Sequence, residues 1–100
     1  MELAEGQSVL DRTVQSWGYS TVHDFAREQA KSILQQKIAY FQSQIDLFEQ
    51  KYGLDFDNFC QQFDLIQHHH LFEKEDDSLR WETALDVLKS YQSELFLLAA

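Results

Sequence analysis

The sequence predicts an all-α protein: a single domain over residues 1–100, arranged as a four-helix bundle-like fold with one long central helix. The chain of 100 residues contains no proline and only three glycines, so few positions interrupt a helix. Between Ser20 and Gly53, apolar residues recur every three or four positions, which places them on one face of an α-helix. Sustained period-two alternation and Asn-Gly or Asp-Gly turns, the signals of strands and hairpins, are missing from the sequence.

The first half of the chain is predicted to form two helices. The first spans about residues 5–17 and ends at Gly18, because glycine readily adopts the left-handed conformation that closes a helix. The second follows an N-cap at Ser20 or Thr21, whose side-chain oxygen can accept a hydrogen bond from a free backbone N–H, and it continues to Tyr52.

The second half is predicted to form two further helices. The third covers about residues 56–69, where aromatic residues recur on one face. The segment 70–77 is polar, acidic and weakly patterned, so we expect a loop there, followed by a last helix over about 78–98. The N-cap candidates are Asp55 for the third helix, and Asp76 or Asp77 for the last helix.

The length of the second helix predicts a homodimer. Some thirty residues form a rod of roughly 45–50 Å, since each residue adds about 1.5 Å. A globular chain of this size has a radius of gyration of only about 13 Å. The apolar stripe is also wide, because Tyr40 and Leu47 lie beside Phe41 and Phe48. We expect a second chain to cover this stripe; the alternative is a monomeric bundle that covers it with its own helices.

Charge and composition narrow the class of partner. The formal net charge of −9 disfavours nucleic-acid binding, which depends on Lys and Arg contacts to phosphates. It favours association with a basic protein, or else it serves only to keep the surface soluble. The single cysteine excludes an internal disulfide, and the N-terminus lacks the features of a signal peptide. We therefore expect a cytoplasmic protein without a membrane segment.

The candidates for chemistry are few. Cys60, Asp64 and His68 follow one another at four-residue spacing and Glu73 lies beyond them, a pattern that could place metal ligands on one helix face. Cys60 also falls on the aromatic face of the third helix, where we expect it to be a buried structural thiol. No nucleophile motif or phosphate-binding loop is present in the sequence. The prediction is a protein with no metal, no cofactor and no enzymatic activity.

Three stretches resemble known families. The sequence SVLDRTVQSWGYSTVHDFAREQAKSIL, over residues 8–34, is similar to the two helices of ribbon-helix-helix proteins. The sequences FEQKYGLDFDNF (48–59) and EDDSLRWETALDVLKSYQSEL (75–95) resemble small antitoxin-like helical-bundle proteins of cyanobacterial and archaeal toxin–antitoxin systems. The resemblance implies a helical bundle, commonly dimeric, that neutralises a small basic toxin, often a ribonuclease. Residues 1–7 lack the basic strand with which ribbon-helix-helix proteins read DNA, which argues against DNA binding.

The predicted partner-binding residues combine apolar positions on the long helix with the acidic segment and the tryptophan that follow. In this hypothesis the carboxylates imitate the phosphates that a cationic toxin would bind. The alternative function is a structural or assembly homodimer without catalytic activity. The candidate residues are Phe41, Phe48, Tyr52, Glu73, Glu75, Asp76, Asp77 and Trp81.

Overall fold

The computed structural model describes the backbone of residues 2–100 and the side chains of residues 9–100. Helices make up the fold, and no strand occurs within the described range, which confirms the predicted all-α class. The elements are α1 (Glu2–Ser16), α2 (Val22–Tyr52), α3 (Phe56–Gln61), a 3₁₀ turn (Phe63–Leu65) and α4 (Leu71–Ala99).

The dominant feature is a hairpin of two long helices. α2 has 31 residues and α4 has 29, so the chain has two long helices where the sequence predicted one. They run antiparallel, since Phe41 contacts Tyr91 at a ring-centroid distance of 6.0 Å while Lys51 contacts Glu73. The radius of gyration is 21.3 Å, well above the roughly 13 Å of a globular chain of this size. The molecule is therefore an extended hairpin with short elements at its ends.

The ends of α2 lie where the sequence predicts them. The Thr21 side chain accepts a hydrogen bond of 3.0 Å from the backbone N–H of Asp24, which satisfies one of the free donors of the first turn. At the other end Gly53 adopts φ +68°, and its N–H donates to the Glu49 carbonyl over 2.7 Å. This left-handed residue ends the helix and turns the chain towards α3.

The third helix is much shorter than predicted. It ends at Gln61, and after the 3₁₀ turn Ile66 has an extended backbone. The physical reason lies in Lys74, whose Nζ donates to the carbonyls of Phe63 (2.7 Å) and Ile66 (2.9 Å). Because a side chain from α4 satisfies these carbonyls, the segment does not need the backbone hydrogen bonds of a continued helix.

The prediction of a loop over 70–77 is wrong. α4 begins at Leu71, with His70 at the N-cap position, and the backbone N–H of Lys74 donates to the His70 carbonyl over 3.0 Å. Asp76 and Asp77 are therefore inside the helix and do not cap it. The segment is helical in spite of its polar pattern because Lys74 and Asp77, both buried, find partners in the rest of the fold.

The main hydrophobic core fills the closed end of the hairpin, between α2, α3 and α4. Its buried members are Ile45, Phe59, Trp81, Ala84 and Leu88. Cys60 is exposed, so the prediction of a buried thiol is wrong. Successive helical residues point about 100° apart, and with Phe59 turned into the core its neighbour faces solvent.

A smaller apolar cluster holds the open end, where α1 meets α2. Val14 is fully buried there, and Leu34 is the buried residue of the first half of α2. Phe25 contacts the rings of Trp17 (5.8 Å) and Tyr19 (5.1 Å) across the turn between the two helices.

Among the described residues, no helix has both the length and the apolar character that a membrane-spanning segment requires.

Candidate functional site

The aromatic residues predicted to bind a partner lie around the main core. Trp81 is fully buried, and its ring stacks with Phe48 at 5.5 Å and with Tyr52 at 6.1 Å. Phe56 meets it edge-on at 5.3 Å, and Phe59 lies at 5.1 Å. Trp81 Nε1 is buried without a hydrogen-bond partner among the described residues, although a buried indole N–H usually has one. Trp81 is therefore part of the core and is not accessible to a partner.

A polar cluster joins the C-terminal end of α2 to the first turns of α4. We use this name for Lys51, Tyr52, His69, Glu73 and Asp77. One carboxylate oxygen of Asp77, Oδ2, accepts from Lys51 Nζ over 2.6 Å and from the Tyr52 hydroxyl over 2.5 Å. Two donors on adjacent residues of α2 thus hold one buried carboxylate of α4, so the cluster fixes the register of the two helices.

Glu73 extends the polar cluster towards solvent. Its Oε2 accepts from Lys51 Nζ over 3.2 Å, and its Oε1 lies 2.8 Å from Nδ1 of His69, which donates when that nitrogen carries a proton. The His69 ring also meets Tyr52 edge-on at 4.9 Å. Among the three consecutive histidines, His69 is therefore the one that contacts this cluster.

The ionisation of the polar cluster follows from these contacts. Burial opposes the charge on Asp77, but the hydrogen bonds from Lys51 and Tyr52 prevail and hold the pKa of this carboxyl below its usual value. The hydrogen bond to Asp77 raises the pKa of Lys51. Burial and then the Asp77 carboxylate raise the pKa of Tyr52, which keeps its hydroxyl protonated as a donor. Hydrogen bonds from Lys51 and His69 lower the pKa of Glu73.

The contacts within the polar cluster stabilise its charges. The charged and hydroxyl groups at its centre are engaged with one another. Within residues 9–100, no group of three or more His, Cys, Asp or Glu side chains is placed to hold a metal ion. Cys60, Asp64, His68 and Glu73 are thus not brought together as ligands. Burial, with Asp57 and Glu82 nearby, raises the pKa of Cys60, so its thiol stays protonated at neutral pH.

The predicted acidic residues divide into two groups. Glu73 and Asp77 belong to the polar cluster, whereas Glu75 and Asp76 are exposed on α4. Asp76 pairs with Arg80 over 3.1 Å, one turn away and in solvent. Other exposed acids continue this surface over α3 and the outer side of α4; they are Asp57, Asp64, Glu82 and Asp86. We call this surface, with Glu75 and Asp76, the acidic face.

One side of the hairpin carries an apolar groove. The groove has a volume of about 300 Å³ and lies between α2 and α4 beside the main core. Phe41 and Phe48, two of the predicted partner-binding residues, are half-buried in its wall. Its other lining residues are Tyr40, Gln44, Leu79, Arg80, Thr83 and Ala84.

Leu79 is 67% exposed at the rim of this groove and is not among the partner-binding residues that the sequence predicts. Leu79 lies seven residues after Phe72, which is also exposed. This heptad spacing is the sequence signal for a row of residues on the outer side of α4.

The chain was compared with protein-family models, with curated proteins and with solved structures, and none of the three comparisons gives a match. Two surfaces of the described chain, the acidic face and the apolar groove, are therefore the candidate binding sites. They adjoin on α4, because Asp76 of the acidic face pairs with Arg80 of the groove lining over 3.1 Å. Glu75 likewise lines a recess with Leu79, which also lines the groove.

Proposed function

We propose that this chain is a non-catalytic protein-interaction module. The supporting observation is the number of large apolar side chains that remain exposed on helices whose core is already filled. Two of them, Tyr40 and Leu79, lie together in the apolar groove, and contiguous exposed apolar surface marks protein-binding sites in soluble proteins. The exposed side chains are Val9, Leu10, Trp17, Ile33, Tyr40, Leu47, Leu65, Leu71, Phe72, Leu79, Phe96 and Leu97.

The partner that we propose for the acidic face is a small basic protein of the toxin class, such as a ribonuclease, bound and neutralised as an antitoxin would do. The formal charge of −9 attracts a cationic protein and raises its association rate. Glu75 and Glu82, seven residues apart, are exposed on one side of α4, Asp76 is exposed beside them, and Asp57 adds a carboxylate from α3. The polar cluster supports this surface by fixing the first turns of α4.

The test is binding and growth rescue with the product of the neighbouring gene in the native host. We expect a small basic protein that is toxic when expressed alone and that co-purifies with this chain. Glu75→Lys/Glu82→Lys should weaken its binding by at least about ten-fold, with a strong dependence on salt. The matched control, Asp46→Lys/Glu49→Lys, changes the net charge equally on α2 and should weaken binding much less.

Two results would count against this function. The first is the failure of any basic protein to bind at physiological salt. The second is an equal loss of affinity in both charge-reversal variants, which would indicate a general charge effect instead of a defined surface. A purely structural homodimer is the second candidate function. The apolar groove and the exposed side chains beside it favour this candidate, and its interface can be specified further.

A further inference from the structure

We infer that a second copy of this chain packs on the apolar groove side of the hairpin, with the two α2 helices antiparallel and a two-fold axis near Tyr40. The central contacts come from Ile33, Tyr40 and Leu47, which we call the heptad row. This inference specifies one partner and one surface for the interaction module proposed above, and it rests on that proposal.

The heptad row is a second apolar seam on α2. Its members are seven residues apart, and each seven-residue step rotates the side-chain direction by only about 20° around the helix. They are 52%, 58% and 58% exposed, in chain order, although α2 is packed against α4 along its length. The seam that faces α4 uses other positions, among them Leu34, Phe41 and Phe48. The heptad row is therefore free to contact another helix.

Two apolar grooves border the heptad row. Tyr40 lines the groove of about 300 Å³ beside the main core. Ile33 lines a second groove of about 480 Å³ towards the open end, together with Ala30, Leu34, Glu94, Leu97 and Leu98. Antiparallel packing about Tyr40 places Leu47 of one copy opposite Ile33 of the other. Leu47 then enters the second groove, and Ile33 approaches the first, so each projecting residue meets an apolar recess.

The available area is that of a stable dimer. α2 and α4 lie side by side from Ala30, beside Leu98, to Lys51, beside Glu73, which is about 33 Å. Two helices with axes 8–10 Å apart present a face roughly 18–20 Å wide. This face is roughly 600–660 Å², within the range of about 600–1,000 Å² that each partner buries in a standard-size interface. The polar positions between the apolar ones, including Gln44 and Thr83, would lie towards the rim.

Charge selects both the occupant and the direction. Three basic residues lie on or beside this side of the hairpin. Arg80 lines the groove, and Lys37 lies over the Tyr91 ring. Lys51 pairs with Glu73. Asp76 pairs with Arg80 beside the groove, so this side carries both signs of charge, which suits a second copy of the same side better than a strongly basic protein. Parallel packing would bring Lys37 and Lys51 next to their own copies. Antiparallel packing separates them.

The first experiment measures mass across concentration, with sedimentation equilibrium on the untagged full chain from 1 to 100 µM. We expect a species of about twice the 11.8 kDa chain mass. Tyr40→Glu should raise the dimer dissociation constant at least about 100-fold, because it places two like charges at the two-fold axis. Leu65→Glu, an equally apolar-to-acidic change at an exposed site away from the row, should leave it unchanged.

The second experiment tests the direction by oxidative cross-linking in a Cys60→Ser background. In the antiparallel arrangement, Tyr40→Cys gives a covalent dimer, and Ile33→Cys/Leu47→Cys does so as well. Ile33→Cys alone and Leu47→Cys alone should give none, because each faces the other position. Parallel packing predicts the reverse for the two single variants, since each cysteine would then meet its own copy.

The outcomes separate this inference from the proposed function. A monomer at 100 µM, or an unchanged dimer in a folded Tyr40→Glu variant, would overturn the second-copy interface. If such a chain still bound a basic protein, the interaction function would stand without it. Loss of the basic partner in Tyr40→Glu with the dimer intact would assign the groove to that partner and also overturn the inference. Circular dichroism confirms that each variant is folded.

Discussion

Asp77→Asn is predicted to destabilise the closed end of the hairpin, because it removes the negative charge that two α2 side chains bind. The substitution keeps the size of the side chain and leaves an acceptor for the Tyr52 hydroxyl. Lys51 loses its shorter ion pair, 2.6 Å, and keeps the 3.2 Å contact with Glu73. The variant therefore tests the charge of Asp77 and little else.

The expected loss is about 2 kcal/mol in the free energy of unfolding. Hydrogen bonds to charged groups contribute roughly 1.5–3 kcal/mol each. The lower part of that range applies to Lys51, since its side chain is 33% exposed and solvent screens the pair. For a chain of this size, about 2 kcal/mol corresponds to a decrease in Tm of roughly 8–16 °C.

Urea denaturation at pH 7, followed by circular dichroism, measures the effect. The control is Asp76→Asn, the same change at the preceding position, where the carboxylate pairs with Arg80 in solvent. We expect less than about 0.5 kcal/mol for the control. Similar losses in the two variants, or a loss below about 0.5 kcal/mol in Asp77→Asn, would refute the assignment of a stabilising role to the polar cluster.

Three other predictions concern the same end of the molecule. The pKa values of Asp77 and Glu73 are lowered in the fold, so the unfolded chain binds more protons in acid. Urea midpoints should therefore fall as the pH decreases below about 5. The difference in unfolding free energy between wild type and Asp77→Asn should be smaller at about pH 3 than at pH 7. Lys74→Met should cost about 2–3 kcal/mol in urea unfolding, since two carbonyls lose a charged donor in a buried site. Gly53→Ala should cost about 1 kcal/mol in the same assay, because alanine is strained at φ +68° although space for a methyl group exists.

The parts of the fold that depend on local chemistry were predictable from sequence. The N-cap contact joins Thr21 to Asp24, and the C-cap contact joins Gly53 to Glu49, so each contact spans at most four positions of the sequence. α2 lies between these two caps, as predicted. Its apolar periodicity is likewise a local property. The all-α class, the boundaries of α2 and the turn at Gly18 follow from such signals.

The start of α4 was not predictable in that way, because its stability depends on residues distant in sequence. Lys74 and Asp77 occupy inward-facing positions that continue the three- and four-residue spacing of Trp81 and Ala84. A polar residue at such a position normally indicates a solvent-facing segment. Asp77 is buried because α2 supplies Lys51 and Tyr52, a contact that no local pattern contains.

The candidate site was predictable only in part for the same reason. Phe41 and Phe48 do line the apolar groove, but Trp81 and Asp77, also predicted to bind a partner, are buried in the interior. Burial of a residue on an amphipathic helix depends on which neighbouring helix covers it. With two long helices of comparable length, the covered face of each could be assigned only after their register was known.

The polar cluster and the main core together should allow the heptad row to be changed without unfolding the chain. Both lie at the closed end, where α3 covers one side of the hairpin and the pairing of Asp77 with α2 fixes the register. The heptad row contributes little to that core, since more than half of each of its side chains is exposed. Substitutions in the row should therefore alter association while leaving the unfolding of the monomer nearly unchanged, when unfolding is measured below the dimer dissociation constant. Substitutions in the polar cluster should do the opposite. If Tyr40→Glu and Asp77→Asn lowered stability and association to the same extent, the heptad row and the polar cluster would not have these separate roles.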